Sequence, residues 1–539
     1  MIRKIVNGLI YDGSGREPFI GGLEIEDGRI VKVFEGACEL AENVALAEGL
    51  AGGEVINAKG MAVTPGFVDI HRHHDVAVLH DPEFGQLELA QGITTAVAGN
   101  CGLAPVPNAP ERMAEQFSYI EPCLGKMPED NTLHLMSDYM AALEGRELPL
   151  NVATLVGAGA CATAAMGYES RSFTPEEREK AVGYIKDAME AGALGMSFGI
   201  MYTPECYLSQ EDLSAMAAEC GRHGGMVSCH VRGEGDSLLS SVDEILGICR
   251  TAEVPLNISH FKAVGLQNWG HALGHAIEKI EAAQADGQKV TVDVYPYTGG
   301  ATTVMTLIPP CVTEGKPLSY LGTPEGAAHL RSEIYKKQPG WDNMVESIGW
   351  DRIIIGSVTL EKNAFCSGKS VAQIADELGM DPCEWIGQLI AEEDGKVGGI
   401  LMSMSPEDVD RVMLLPYAAV ISDSLYGGGD NPHPRLYGSF PKIIREYVLE
   451  RGLMTMEQAI RKMTAMPAER VGLLDRGYLK EGYAADINIF DPAAVRDMAT
   501  FTKSKQLAEG IAYTLIGGEV AAAASRKTSG AYGRLLKRK

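Results

Sequence analysis

The sequence predicts an α/β protein: a (β/α)8 TIM-type barrel, a small β-sandwich domain formed by both chain ends, and an insertion after strand 7. Three observations carry this. The middle of the chain alternates short β-branched runs with helical stretches, as parallel barrels do. Both ends instead alternate short apolar runs with Gly/Asp turns, as small antiparallel sheets do. The barrel rhythm also breaks over about residues 298–358.

The N-terminal part of the sandwich, residues 1–61, contains KIVNGLIYDGSG and GGLEIEDGRIVKVFEG. Asn7 and Gly8 interrupt its first apolar run and a turn cluster follows, so it reads as a strand rather than a signal peptide. The barrel is expected over residues 62–470. Its candidate strands lie in MAVTPGFVDIH, GITTAVAG, NVATLVGA, GALGMSFG, GGMVSCH, VPLNISH, QKVTVDVYP and YAAVISD. Helical segments between them include Pro175–Ala191 and residues 213–223 and 271–285. The break contains PPCVTEGKPLSYLG and a Trp/Gly segment, and reads as an insertion over the barrel mouth. Residues 471–539, with RGYLKEGYAADINIFDP and GIAYTLIGGEV, complete the sandwich and end in a tail.

Composition narrows the classes of function. Apolar residues make up 45% of the 539 and charged residues 22%, ordinary for a globular protein. No window approaches the roughly 18 apolar residues of a membrane span. A formal charge of −25 argues against nucleic acid or anionic membrane as partners, and the basic end (Arg534, Lys537, Arg538, Lys539) is too short to reverse it. With a strand in place of a signal peptide and no span, a cytoplasmic location is expected, and the eleven scattered cysteines with no CxxC pair read as reduced, buried thiols.

In such a barrel the chemistry sits at the carboxyl ends of the strands. The first ends in Asp69-Ile70-His71-Arg72-His73; residues two apart share a side, so His71 and His73 can converge on one ion. His74 and Asp75 follow and are read as neighbours of that pair, not as ligands. The second ends in Gly99-Asn100-Cys101-Gly102, where a thiolate is a strong zinc ligand between glycines. The fifth and sixth end in His230 and His260. Either alone is more simply a satisfied polar histidine, but together with His71 and His73 they complete a metal site. Lys262 shares the face of His260 and can meet a substrate carboxylate or carbonyl, while Cys229 points away from His230 and is packing. The last strand ends in Asp423; a carboxylate beside a metal ion can take a proton from water and return it to a leaving amine. Arg435, in His433-Pro434-Arg435, offers a planar, permanently charged fork suited to a carboxylate, or to an ordinary surface ion pair.

With these residues assembled, the chain resembles the D-aminoacylase (N-acyl-D-amino-acid deacylase) family of the amidohydrolase superfamily. The likeness runs from VNGLIYDGSG to the closing tail, and is most specific in PGFVDIHRHHD, QGITTAVAGNCG, SHFK, VYPYT and SDSLYGGGDNPHPRLYGSFPK. It implies one zinc held tightly by Cys101, His230 and His260. A second, weaker position would be lined by His71, His73 and Asp423, with Cys101 as bridge in place of the carboxylated lysine of many relatives. It further implies Asp423 as catalytic base and acid, Arg435 as the grip on the substrate carboxylate, and Lys262, Tyr202 and Tyr295 as substrate-binding helpers. Two departures stand out: SDS where the family commonly has SDG, followed by glycines 427–429, and the extra histidine of HRHHD. The expected reaction is zinc-dependent hydrolysis of N-acyl-D-amino acids. The nearest rival is a cyclic-amide hydrolase of the hydantoinase or dihydropyrimidinase kind, which would need a lysine where strands three and four end in Gly157-Ala158-Gly159 and Phe198-Gly199. A catalytically silent metal-binding scaffold is the remaining alternative. The substrate side chain, the acyl group, the number of metals and the oligomeric state stay open, and the D configuration rests on the resemblance.

Overall fold

The computed structural model describes residues 3–38, 55–128, 130–338, 341–427, 429 and 431–538. Residues 39–54 of the N-terminal part, the Pro339-Gly340 pair before Trp341, Gly428 of the glycine run and the basic terminal Lys539 lie outside these.

Eight parallel strands form the barrel: Phe67–Asp69, Ile93–Ala98, Asn151–Thr154 continued by Val156–Gly157, Met196–Gly199, Val227–His230, Leu256–Ile258, Val290–Val294 and Ala418–Val420. They pair in chain order. The ring closes at its carboxyl end, where Ser424–Leu425 pairs in parallel with Arg72–His73 and the Asp423 amide donates to the His71 carbonyl at 2.9 Å. The strands are buried almost throughout, between the barrel interior and the helices outside, so they read as near-continuous apolar runs. Helix Pro175–Ala191 shows how the sequence sets the outer ring. Thr174 caps it, accepting from the Glu177 amide, Pro175 opens it, and Gly192 in the left-handed region ends it. Its buried stripe of Ala181, Ile185, Ala188 and Met189 has the spacing of one helix face.

The first expected strand, MAVTPGFVDIH, divides at Gly66. Ala62–Pro65 belongs to the small sheet and Phe67–Asp69 to the barrel. That small sheet has nine strands, eight in one hydrogen-bonded path and Val55–Asn57 paired beside Arg3–Ile10, with Arg3–Ile10, Phe19–Glu26 and Arg29–Glu35 from one chain end and Ile487–Phe490, Ile511–Ile516 and Glu519–Ala523 from the other. Both ends share one apolar core, in which Ile5, Leu23 and Ile30 pack with Ile487, Ile489 and Leu515.

Between barrel strands seven and eight the chain leaves the barrel and builds a three-stranded antiparallel sheet from Gly300–Thr303, Ile353–Ser357 and Gly398–Leu401. This excursion runs well past position 358. Ile353–Ser357 has the β-branched texture of a barrel strand, which is why the sequence expectation ends the insertion there. The tail also does more than end the sandwich. The Val152 amide donates to the Arg534 carbonyl and the Leu536 amide to the Val152 carbonyl, which lays the tail along the third barrel strand.

Candidate metal centre and substrate cavity

The carboxyl ends of the strands converge on one buried cluster. His71 Nε2 lies 3.3 Å from Cys101 Sγ, and Cys101 Sγ 3.5 Å from His260 Nε2. The His260 and His230 rings are 4.4 Å apart. The Nε2 atoms of His71 and His73 each lie 3.4 Å from Asp423 Oδ1. Within this cluster His71–His73–Cys101, Cys101–His230–His260 and His71–His260–Asp423 are each compact enough for one ion, and Cys101 belongs to two of these sets.

The backbone at these positions is unusual. Cys101, His260 and Asp423 have φ of 54°, 35° and 52°, where residues with a side chain rarely sit. Strain at three strand ends that aim side chains at one point marks a place where geometry is over-determined by the fold. Gly199, which ends strand four, explains how Cys101 arrives there. A Cβ at Gly199 would stand 2.0 Å from the Cys101 carbonyl oxygen, so the Cys101 loop fills the space a strand-four side chain would need. Gly102 plays the matching part for Glu205, whose Oε2 would lie 2.0 Å from a Cβ there.

The electrostatics suit a cation. Burial pushes the imidazoles of His230 and His260 well below the usual histidine range, leaving them neutral donors. Both ring nitrogens of His230 are buried without a hydrogen-bond partner, which is costly unless something else binds them. Burial and the neighbouring Asp423 raise the Cys101 thiol well above its ordinary range, so a thiolate forms there only together with a bound cation. Burial likewise opposes ionisation of Asp423, but Arg435, His71, His260 and His73 outweigh it and hold the carboxyl well below the usual range.

Arg435 is 1% exposed and opens helix Arg435–Lys442, so it is not a surface ion pair. Its guanidinium lies 2.7 Å from Asp423 Oδ2, donates to the Ala301 carbonyl at 3.2 Å and stacks 4.7 Å from the centre of the Tyr295 ring. His433 orients it by accepting the Arg435 amide at Nδ1 (3.0 Å) while its Nε2 faces the Gly299 carbonyl at 2.9 Å. Tyr202 stands beside the His230 ring at 5.0 Å, with its hydroxyl 3.4 Å from Thr302 Oγ1. Every sequence-predicted site residue except His71 lines the one cavity above the cluster, and His71 lies directly beneath it. Lys262 is there but engaged, 2.5 Å from Glu234 Oε1. His74 lies apart, stacked on Phe84, and Asp75 accepts from the Gly99 amide at 2.8 Å. Cys229 is buried in the barrel core, as expected of packing.

Sequence reasoning passed over the residues that brace this cluster. Asp293 Oδ1 accepts the His260 amide at 2.5 Å, and its other oxygen lies 3.8 Å from His71 Nδ1. Glu234 faces His260 Nδ1 at 3.0 Å. Arg72, fully buried between the two first-strand histidines, reaches Asp69, Ser422, Glu88 and Tyr426. Asp293 had a signal, a charge inside the apolar run VTVDV; Glu234, in a polar loop, had none.

A buried sulfur and imidazoles placed to hold a cation, a carboxylate at their edge and a guanidinium over the same cavity suit polar bond cleavage by water. The fold and the cluster therefore define a metal-dependent barrel hydrolase. Residues 54–304 and 412–522 match the Amidohydrolase family, and the chain belongs to it. It is 32% identical over 463 residues to the N-acyl-D-glutamate deacylase of Alcaligenes xylosoxydans xylosoxydans, covering 86% of this chain and 84% of that one. It is 29% identical over 527 residues to the D-aminoacylase of the same organism, covering 95% and 93%. The crystal structure of N-acyl-D-glutamate deacylase from Bordetella bronchiseptica, complexed with zinc and a phosphonate mimic of the tetrahedral intermediate, superposes with a TM-score of 0.81 at 30% identity over 99% of both chains.

Proposed function

We propose that this chain hydrolyses the amide bond of N-acyl-D-amino acids with zinc as its cofactor. The observation that carries the reading is the Arg435–Asp423 pair at the rim of the Cys/His cluster. It sets a buried cation for a substrate carboxylate within one residue's reach of a buried base. The relatives named as deacylases of N-acyl-D-amino acids, and the zinc in one of their structures, support it.

Cys101, His230 and His260 are proposed to hold the tight zinc, and His71, His73 and Asp423 to line a weaker position that shares Cys101. The donor set fits: one soft sulfur and neutral imidazoles, with His230 otherwise unpartnered. When bound, zinc polarises the amide carbonyl and lowers the pKa of a coordinated water toward ~7. Arg435 binds the α-carboxylate, and in doing so gives up part of its hold on Asp423. Asp423 then takes the proton of the attacking water at a carboxylate oxygen and delivers it to the amide nitrogen as the C–N bond breaks, releasing a carboxylate and a free amino acid. Tyr295 keeps the guanidinium plane in place, and Tyr202 and Thr302 line the same cavity. Lys262 acts here through Glu234 and His260 rather than as a free cation.

A cyclic-amide hydrolase is disfavoured by the space where a strand-four bridging lysine would stand, which the Cys101 loop fills. The buried thiols Cys161, Cys220 and Cys249 fit a reducing compartment, so the cytoplasm is the proposed location. Among the described residues no helix is long and apolar enough to cross a membrane. The test is amine release from matched N-acetyl-D- and N-acetyl-L-amino acids by chelated and zinc-reloaded protein. Zinc-restored hydrolysis confined to the D series is expected; restored activity on neither series would refute the reading.

A further inference from the structure

Resting on the deacylase reading, we infer that the substrates of this chain carry a neutral, apolar side chain of the methionine or leucine kind rather than an acidic one. The argument is an account of charge in the cavity. Among the described residues that line it, the only permanently cationic side chains are Lys262 and Arg435. Arg435 is the partner of the α-carboxylate common to every N-acyl amino acid, so it cannot also neutralise a second carboxylate. Lys262 is already neutralised. Its ammonium lies 2.5 Å from Glu234 Oε1 and donates to the His260 carbonyl at 3.0 Å.

Lys262 cannot be recruited by an acidic side chain without harm elsewhere. Glu234 is 6% exposed, and its Oε1 faces both Lys262 and His260 Nδ1. Drawing the ammonium away would leave a buried carboxylate without its counter-ion, the same penalty moved by one residue. The remaining fixed charges in the cavity, Glu234 and Asp423, are themselves negative and repel a second carboxylate.

The rest of the wall carries no charge, and its apolar side chains come from separate parts of the chain. Leu103 follows strand two, Met201 strand four and Leu425 strand eight, while Met344 and Leu401 come from the excursion after strand seven. Because no cation is held in reserve at any of these positions, it does not matter which part of the wall meets the side chain and which the acyl group. Two methionines suit an unbranched or γ-branched apolar chain, since their thioethers adapt to its shape. The hydroxyls of Thr302 and Ser403 can bond a neutral group but cannot neutralise a carboxylate.

The experiment uses the zinc-loaded full chain and measures kcat/KM for N-acetyl-D-methionine and N-acetyl-D-leucine against N-acetyl-D-glutamate and N-acetyl-D-aspartate. The neutral pair is expected to exceed the acidic pair by ~100-fold or more, the size of effect an unpaired buried charge produces. Equal values, or a preference for either acidic substrate, would overturn the side-chain inference while leaving the deacylase reading intact. No hydrolysis of any of the four by protein shown to contain zinc would overturn the deacylase reading, and this inference with it.

Discussion

At the scale of single residues, Arg435 and Asp423 neutralise each other in the structure, and the proposed mechanism parts them when substrate binds. Asp423→Asn keeps the shape of the side chain but removes the base, so kcat should fall by ~10²–10⁴-fold. The variant should keep its zinc at the Cys101, His230 and His260 position, as checked by metal analysis alongside turnover. Arg435→Ala should leave the metal cluster in place and remove the proposed partner of the substrate carboxylate. Its kcat/KM should drop by about 2–5 kcal/mol, the range for truncating one member of a buried charge pair. Kinetics equal to the parent would remove Arg435 from the substrate site. The residue scale is also where the sequence was most legible. His71, His73, Cys101, His230, His260 and Asp423 all stand at strand ends, and strand ends can be read from hydrophobic runs that stop at polar residues. Asp293 and Glu234 brace those ligands from behind, through contacts between segments distant in sequence, and periodicity holds no record of that.

At the scale of elements, strands two, three and four are locked at their carboxyl ends by a side chain from the loop after strand four. Glu205 is 1% exposed, sits in a slot between Gly102 and Gly159, and accepts the Gly199 amide at 3.0 and 3.1 Å. Burial raises its carboxyl to about 8, against the opposing bonds from Gly199 and the charge of Arg232. The folded protein therefore keeps a proton that the unfolded chain loses near pH ~4.3. The stability this proton represents is complete below that pH, and is lost as pH rises through about 8. Glu205→Gln, neutral at every pH, should flatten the decline in melting temperature between pH 5 and 8.5; parallel curves for parent and variant would contradict it. Nothing in PECY distinguishes this glutamate from a surface one, since the glycines that receive it lie on other strands. The excursion was only partly legible for a related reason. Its second strand, Ile353–Ser357, is as β-branched as a barrel strand, and only its antiparallel pairing with Gly398–Leu401 shows where it belongs.

At the scale of the whole molecule, the two chain ends meet in one sheet beside the barrel, and the last residues then return to the barrel itself. The Gly533 amide donates to the Leu148 carbonyl at 2.8 Å and the Arg538 amide to the Gly192 carbonyl at 2.9 Å. The Arg538 guanidinium reaches the carbonyls of His223 and Leu194, Lys537 pairs with Glu144 at 2.8 Å, and Leu536 is 8% exposed in the apolar core. The basic end thus serves the fold, satisfying backbone carbonyls at the ends of helices and strands far from the metal cluster. Deleting residues 530–539 removes these bonds and uncovers apolar surface, which should lower stability by about 3 kcal/mol. The same deletion touches nothing in the substrate cavity, so zinc content and kcat/KM at a temperature well below melting should match the parent. A truncated protein with a lower melting temperature and unchanged kinetics would establish the tail as a clamp on the amino end of the barrel. A loss of zinc at unchanged melting temperature would instead mean that the tail sets the spacing of the strand ends at the opposite end of the barrel, and that the barrel transmits strain along its length.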